Sequence, residues 1–237
     1  MTITGHTNRR LKEIRKLSMR RRWREGAGRF VAEGEDLLAA ADAAGWEPLE
    51  RYCAAGSGLD GTPVEPALLA SASGIASGTR ALAVYSERWA EHAAGPLCVY
   101  LRAIHDPGNL GAIVRSADAF GASSVALGPD CADPFAPKAV RATMGAIFTV
   151  SLAQTDALNE LPGAKIALVP GAGKPLRELE QLHEITLMIG AEREGLPQAL
   201  IDQADHIAHI PIHSNSLNAA MAATVALYEL AHTMQQR

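Results

Sequence analysis

The 237-residue chain has only three cysteines, Cys53, Cys98 and Cys131, far apart and never spaced as CxxC. Such a set excludes a disulfide framework and a zinc site built on thiolates, and it predicts reduced thiols used as small packing residues. Long apolar runs are missing as well. No stretch approaches the roughly 18 consecutive apolar residues that cross a bilayer, and the opening "MTITGHTNRRLKEIRK" lacks the apolar core of a secretory leader. A cytoplasmic protein with no membrane partner is expected. Glycine fingerprints for nucleotides are absent too. After "GAG" at 26–28 the next required position is Val31, which disfavours a dinucleotide-dependent enzyme. "GAGKP" at 171–175 has Leu168 where a phosphate loop needs glycine and Pro175 where it needs Ser or Thr, so it reads as a turn. His206, His209 and His213 look like a metal cluster, but an extended strand sends His206 and His209 to opposite faces, and no metal is expected.

What is present is an ordinary globular composition, 48% hydrophobic and 20% charged, enough for one large domain or two small ones. The net charge of −4 hides an uneven distribution. Residues 1–30 hold eight arginines and two lysines against Glu13 and Glu25, a net of +8, which leaves −12 for the remainder. One end of such a chain is built to meet a polyanion. In "NRRLKEIRKLSMRRRWREGAGRF" the apolar Leu11, Ile14, Leu17 and Met19 recur at helical spacing, so one amphipathic helix coated with cations is predicted. Arg9, Arg10, Arg15, Arg20, Arg21, Arg22 and Arg24 are the candidate RNA contacts, and Trp23 is placed to stack on a base. Charge alone does not separate RNA from DNA.

After the basic helix, the pattern predicts a strand in "RFVAEG", a helix ending at Gly45, and strands in "EPLERYCA" and "GTRALAVYSER", with Gly/Ser/Pro-rich loops between them. A domain boundary is expected within 89–96, giving an RNA-binding domain at 1–94 and a second domain at 95–237. The second half alternates. Strands are expected at 97–104, 123–128, 146–152, 165–170, 185–190 and 206–212, with helices near 108–120, 136–143, 155, 176, 198 and 216–235. The fold class is therefore α/β, a small α/β module followed by a mostly parallel sheet covered on both faces.

Ligands of such sheets bind at the carboxyl ends of the strands, and three of those ends carry unusual loops. In "HDPGNLGAIVR" either Asp106 or Asn109 can cap the helix, and Arg115 stands in its middle. In "MIGAEREGLP" Gly190 and Gly195 bracket Glu192 and Glu194, and in "IPIHSNSLNAAMAATVALYEL" Ser214, Asn215, Ser216 and Asn218 crowd a helix start. Each loop alone is explained by turn and cap chemistry. An arginine, a glutamate and a Ser/Asn pair gathered at one sheet edge are harder to assign to turns.

In order and spacing, these three loops resemble the three motifs of the SpoU (TrmH) family of RNA ribose 2′-O-methyltransferases, part of the SPOUT superfamily. "RFVAEGEDLLAAADAAGW" more loosely resembles the ribosomal-protein-like RNA-binding module of the ribosomal-RNA members. The resemblance implies a C-terminal trefoil knot and a homodimer with the first-motif and last helices in the interface. It also implies S-adenosylmethionine held near Val169, Gly190, Gly195, Ile210 and Leu217, with Asn109, Arg115, Glu192, Ser216 and Asn218 as catalytic residues. Ribosomal RNA, most of all 23S, is the substrate this implies, with tRNA and a non-catalytic RNA-binding factor as the alternatives. The third motif departs from the family: between Pro211 and "SLN" it is about two residues short.

The family treats the residue matching Arg115 as the proton acceptor. A guanidinium stays charged in proteins, which makes a literal base implausible. A cation about 4 Å from a developing alkoxide is worth on the order of 4 kcal/mol at an effective dielectric near 20. Arg115 is therefore expected to stabilise the alkoxide, with Asn109 orienting the ribose or Arg115 and Glu192 positioning that network.

Overall fold

The structure, a computed structural model, describes residues 2–73, 78–179, 182–213 and 217–235. By its own contacts the chain forms two compact units, Met1–Arg88 with Asp133–Phe148, and Trp89–Ala132 with Thr149–Arg237.

The first unit begins with α1 (Arg9–Met19) and α2 (Arg21–Ala27), followed by β1 (Arg29–Glu33), α3 (Glu35–Ala43), β2 (Glu50–Ala54), β3 (Thr62–Val64), α4 (Pro66–Ala72) and β4 (Ala81–Ser86). Its sheet has the order β1-β4-β2-β3, antiparallel except for the β2–β3 pair. Leu11, Ile14 and Leu17 recur every third position and bury one face of α1 against Val31, Tyr52, Leu82 and Val84. The cations therefore lie outward, as the periodicity predicts. The predicted single helix is broken, however: Arg20 is extended (φ −137, ψ 117), and Met19 is 78% exposed rather than packed.

Phe30 and Tyr85, paired in register, point to the opposite face of that sheet, and there the chain returns. Phe135 and Phe148 join Phe30, Trp46 and Tyr85 in one aromatic cluster, with ring centroids 4.9 Å apart for Phe30–Phe135 and 5.2 Å for Trp46–Phe148. The Trp46 Nε1–H donates to the Phe148 carbonyl at 2.9 Å. This is why a segment carrying α6 (Pro137–Thr143), 45 or more residues beyond the first unit's last strand, belongs to that unit. The contact boundary falls after Arg88, at the edge of the stretch 89–96 where a division is expected, while the grouping of Asp133–Phe148 with the first unit differs from the contiguous ranges 1–94 and 95–237. The same packing explains the strand expected at 146–152. Ala146–Phe148 is a 3-10 turn that buries Ile147 and Phe148, and the strand starts only at Ser151.

The second unit comprises β5 (Leu97–Leu101), α5 (Pro107–Ala119), β6 (Ser124–Leu127), β7 (Ser151–Gln154), β8 (Ala164–Leu168), β9 (Lys174–Pro175), β10 (Ile185–Ile189), α7 (Gln198–Ile201), β11 (His206–His209) and α8 (Ala219–Gln235). Its seven strands lie in the order β7-β6-β5-β10-β8-β11-β9, and every named pair is parallel. The central strands "LCVYL" and "ITLMI" are buried at every position, as strands covered on both faces must be. The helices expected near 155 and 176 are single 3-10 turns, Leu158–Glu160 and Leu176–Glu178.

Candidate active site

Asp106, not Asn109, caps α5: its Oδ1 accepts from the Asn109 backbone N–H at 3.0 Å, with Pro107 in the first turn. The Asn109 side chain is thereby left for other work, and its Nδ2 donates to Oε1 of Glu192 in the loop after β10. Asn218 caps α8 through Oδ1, which accepts from the N–H groups of Ala220 at 2.9 Å and Met221 at 3.3 Å. Its Nδ2 donates to the same Glu192 Oε1 at 2.7 Å and to Asn109 Oδ1 at 3.3 Å. Three of the predicted catalytic residues, from three strand-end loops, thus form one closed hydrogen-bond cluster. Oε2 of Glu192 has no protein donor among the described residues, so it stands ready to accept from a hydroxyl.

Helices α5 and α8 run side by side in the same direction. Beyond the Asn109–Asn218 contact, Ser116 Oγ and Thr224 Oγ1 lie 2.6 Å apart, and the rings of Phe120 and Tyr228 meet at 6.0 Å. Both N-termini, and so both positive dipole ends, converge on the Glu192 carboxylate.

Arg115 lies outside that cluster. It sits six residues after Asn109, about 9 Å along the axis and about 240° around it. It is exposed, with no hydrogen bond or ion pair among the described residues. Asn109 therefore orients Glu192 and Asn218 rather than Arg115. Ser216 lies outside the described residues, as do Ser214 and Asn215 of the shortened third motif.

Behind Glu192 a cavity of about 660 Å³ opens at the carboxyl ends of the strands, and Val169, Gly190, Gly195, Ile210 and Leu217 all line it. A volume in that range suits a cofactor-sized ligand. A Cβ on Gly190 would collide with the backbone of Gly195 and Leu196, because the loop returns there: Gly195 N–H donates to the Ala191 carbonyl at 2.9 Å, with Gly195 at φ +68. Leu168, Ile189 and Leu196 supply apolar walls beside this bare backbone. Apolar walls with exposed peptide groups fit the adenosine of S-adenosylmethionine, and Arg193 and Glu194 add charged groups to the lining. The end of β8 at Leu168–Pro170, of which the resemblance implies only Val169, is a fourth strand end at this cavity, as the strand-end rule requires.

The histidines form no metal cluster among the described residues; His209 Nδ1 instead lies 3.1 Å from the Ala172 carbonyl. Of the seven candidate RNA contacts, Arg24 is withdrawn. It is 4% exposed, pairs with Asp133 at 2.7 Å and donates to the Leu17 carbonyl at 2.5 Å. Arg15 holds Ser71 at 2.6 Å and Arg21 pairs with Glu25 at 2.7 Å, whereas Arg9, Arg20 and Arg22 have no ion pair among the described residues.

A family model described as the SpoU rRNA Methylase family matches residues 96–228. The 23S rRNA (guanosine(2553)-2′-O)-methyltransferase RlmP of Bacillus subtilis is 33% identical over 136 residues, 54% of this chain and 55% of its own length. The 23S rRNA (uridine(2479)-2′-O)-methyltransferase of Streptomyces viridochromogenes is 34% identical over 138 residues, 52% of this chain and 48% of its own. The chain thus spans about half the length of the curated relatives it matches. An AdoMet-bound rRNA methyltransferase from Sinorhizobium meliloti is similar over 100% of this chain and 99% of its own, with TM-score 0.86 at 28% identity.

Proposed function

Since the chain belongs to the SpoU rRNA methylase family, we propose that it methylates a ribose 2′-hydroxyl of structured RNA, 23S ribosomal RNA before tRNA, with S-adenosylmethionine as donor. The observation that carries this reading is the Asn109–Glu192–Asn218 cluster at the lip of a cofactor-sized cavity. The donor supplies an electrophilic methyl on a sulfonium. The chain supplies the rest. Val169, Gly190, Gly195, Ile210 and Leu217 hold the donor. Asn109 and Asn218 fix the Glu192 carboxylate through Oε1, leaving Oε2 to accept from the incoming hydroxyl and fix its direction of approach. As the oxygen takes the methyl, leaving the neutral thioether S-adenosylhomocysteine, the hydroxyl proton passes to Glu192 Oε2. Arg115, supplied by a neighbouring copy, stabilises the developing alkoxide, and Ser216, outside the described residues, keeps its expected role of holding the hydroxyl.

The finer parts of the reading have separate support. Met221, Val225 and Tyr228, 62%, 37% and 56% exposed, form an apolar row on α8 beside α5, which favours a homodimer paired through these helices. Such pairing would bring Arg115, stranded on its own subunit, to a neighbouring copy. The placement of β11 between β8 and β9 is the kind of crossing a trefoil knot requires. The mixed sheet and cationic α1 of the first unit suit a ribosomal-protein-like RNA-binding module. No described helix is long and apolar enough to cross a membrane; a cytoplasmic site of action rests instead on the proposed ribosomal RNA substrate.

The test pairs calorimetry of S-adenosylmethionine binding with methyl transfer to ribosomal RNA. Arg115→Ala is expected to slow transfer roughly 100- to 1,000-fold with donor affinity unchanged, and Arg115→Lys to retain part of the rate. Full rates in Arg115→Ala, or no donor binding by the native protein, would overturn the reading.

A further inference from the structure

The break at Arg20 has a chemical result. Because α1 stops at Met19 and α2 starts at Arg21, the chain turns a corner that folds Trp23 back toward α1, where Lys16 Nζ lies 4.3 Å from the centre of its ring. The concavity between the two helices, about 630 Å³, is lined among others by Arg9, Lys12, Glu13, Lys16, Arg22 and Trp23. Its one carboxylate, Glu13, pairs with Arg29 at 3.4 Å and is to that extent neutralised. Arg9, Lys12 and Arg22 have no ion pair among the described residues. Arg9, Lys12 and Lys16 are spaced three and four apart, so they form a single row on the face of α1 opposite Leu11, Ile14 and Leu17. Trp23 is 40% exposed, a large apolar area to leave in water at the floor of a cationic groove.

We infer that this groove is a pocket for one unpaired nucleotide of the RNA, its base stacked on Trp23 and its flanking phosphates on Arg9, Lys12 and Arg22. The inference rests on the methyltransferase reading for the identity of that RNA. The charge complementarity is to a polyanion, and the indole face adds what a merely solvated basic helix lacks, a flat platform of base size. A base inside a duplex is stacked on both sides and cannot reach that platform, whereas a base in a loop or bulge can. The pocket therefore selects RNA with single-stranded character next to the helix it tracks.

The experiment uses the full chain, a labelled hairpin RNA with a single-stranded loop, and a blunt duplex with the same number of phosphates, followed by fluorescence anisotropy. Trp23→Ala is expected to weaken hairpin binding about tenfold and duplex binding less than about twofold, and Trp23→Phe to keep most of the hairpin affinity. Lys12→Glu is expected to weaken both RNAs and to lower the salt slope by about one unit. Equal losses on both RNAs in Trp23→Ala, or no loss on either, would overturn the pocket. Donor binding and methyl transfer are measured on the same proteins. If the native protein fails in both while the hairpin preference still depends on Trp23, the catalytic reading falls and the pocket stands. If catalysis holds and the preference does not depend on Trp23, only the pocket falls.

Discussion

Asp106 and Asn109 show how residues of similar chemistry divide labour within one turn. The first satisfies an orphan N–H of α5, and the second is freed to donate to Glu192. Asn109→Asp keeps size and shape but turns the donor into a carboxylate oxygen against Glu192. It is expected to lower methyl transfer about 10- to 100-fold while leaving donor affinity within about twofold, as rates and calorimetry on one preparation would show. Asn109, Glu192 and Asn218 were legible as candidates, because polar side chains after three strands are a local signal, but the sequence set also held Arg115 and Ser216. The exclusion of Arg115 from the cluster was not legible, since a helical position fixes an angle but not which neighbour stands there. The cap was legible only as a choice between two residues.

At the scale of elements, β5, α5, β10 and α8 lie close to where their patterns put them, because period and caps are written locally. The stretch at 146–152 was misread for the opposite reason. Its apolar residues are committed to Trp46 and Phe30, a hundred or more residues earlier in the chain, and no local pattern records that. Arg24 was misread in the same way: it looked like one more surface cation, yet it ties α2 to Asp133, with both side chains at most 10% exposed. Removing one partner of such a pair strands the other charge. Arg24→Ala is expected to destabilise the protein by about 3 kcal/mol, measured as a lower urea midpoint at unchanged slope. A variant as stable as the native chain would show that Asp133 finds solvent instead. A second pair, Arg141 with Glu33 at 3.4 Å, ties the same returning segment to β1, and Glu33 is 3% exposed.

For the whole molecule, the parallel sheet and the two-part organisation follow from the alternation of strands and helices, while the position of the division does not. A fragment ending at residue 94 would leave Phe30, Trp46 and Tyr85 without Phe135 and Phe148, so the first unit is not a piece of contiguous chain. Association belongs to this scale as well. On the proposed pairing through α5 and α8, the double variant Met221→Glu, Tyr228→Glu, at positions already exposed, is expected to halve the mass seen in sedimentation velocity. An unchanged mass would overturn that pairing.

The hydrogen bonds that hold Glu192 also set an order in time. Asn109 reaches Glu192 across 83 positions, and Asn218 closes the cluster 26 positions later still. A chain emerging from the ribosome with its strands already formed would expose a carboxylate held by one amide, beside a helix that still lacks its neighbour. On the proposed reading, competence would arrive only when α8 docks along α5, so a stalled or trimmed polypeptide would carry the inferred groove without the cluster that is proposed to act on its ligand.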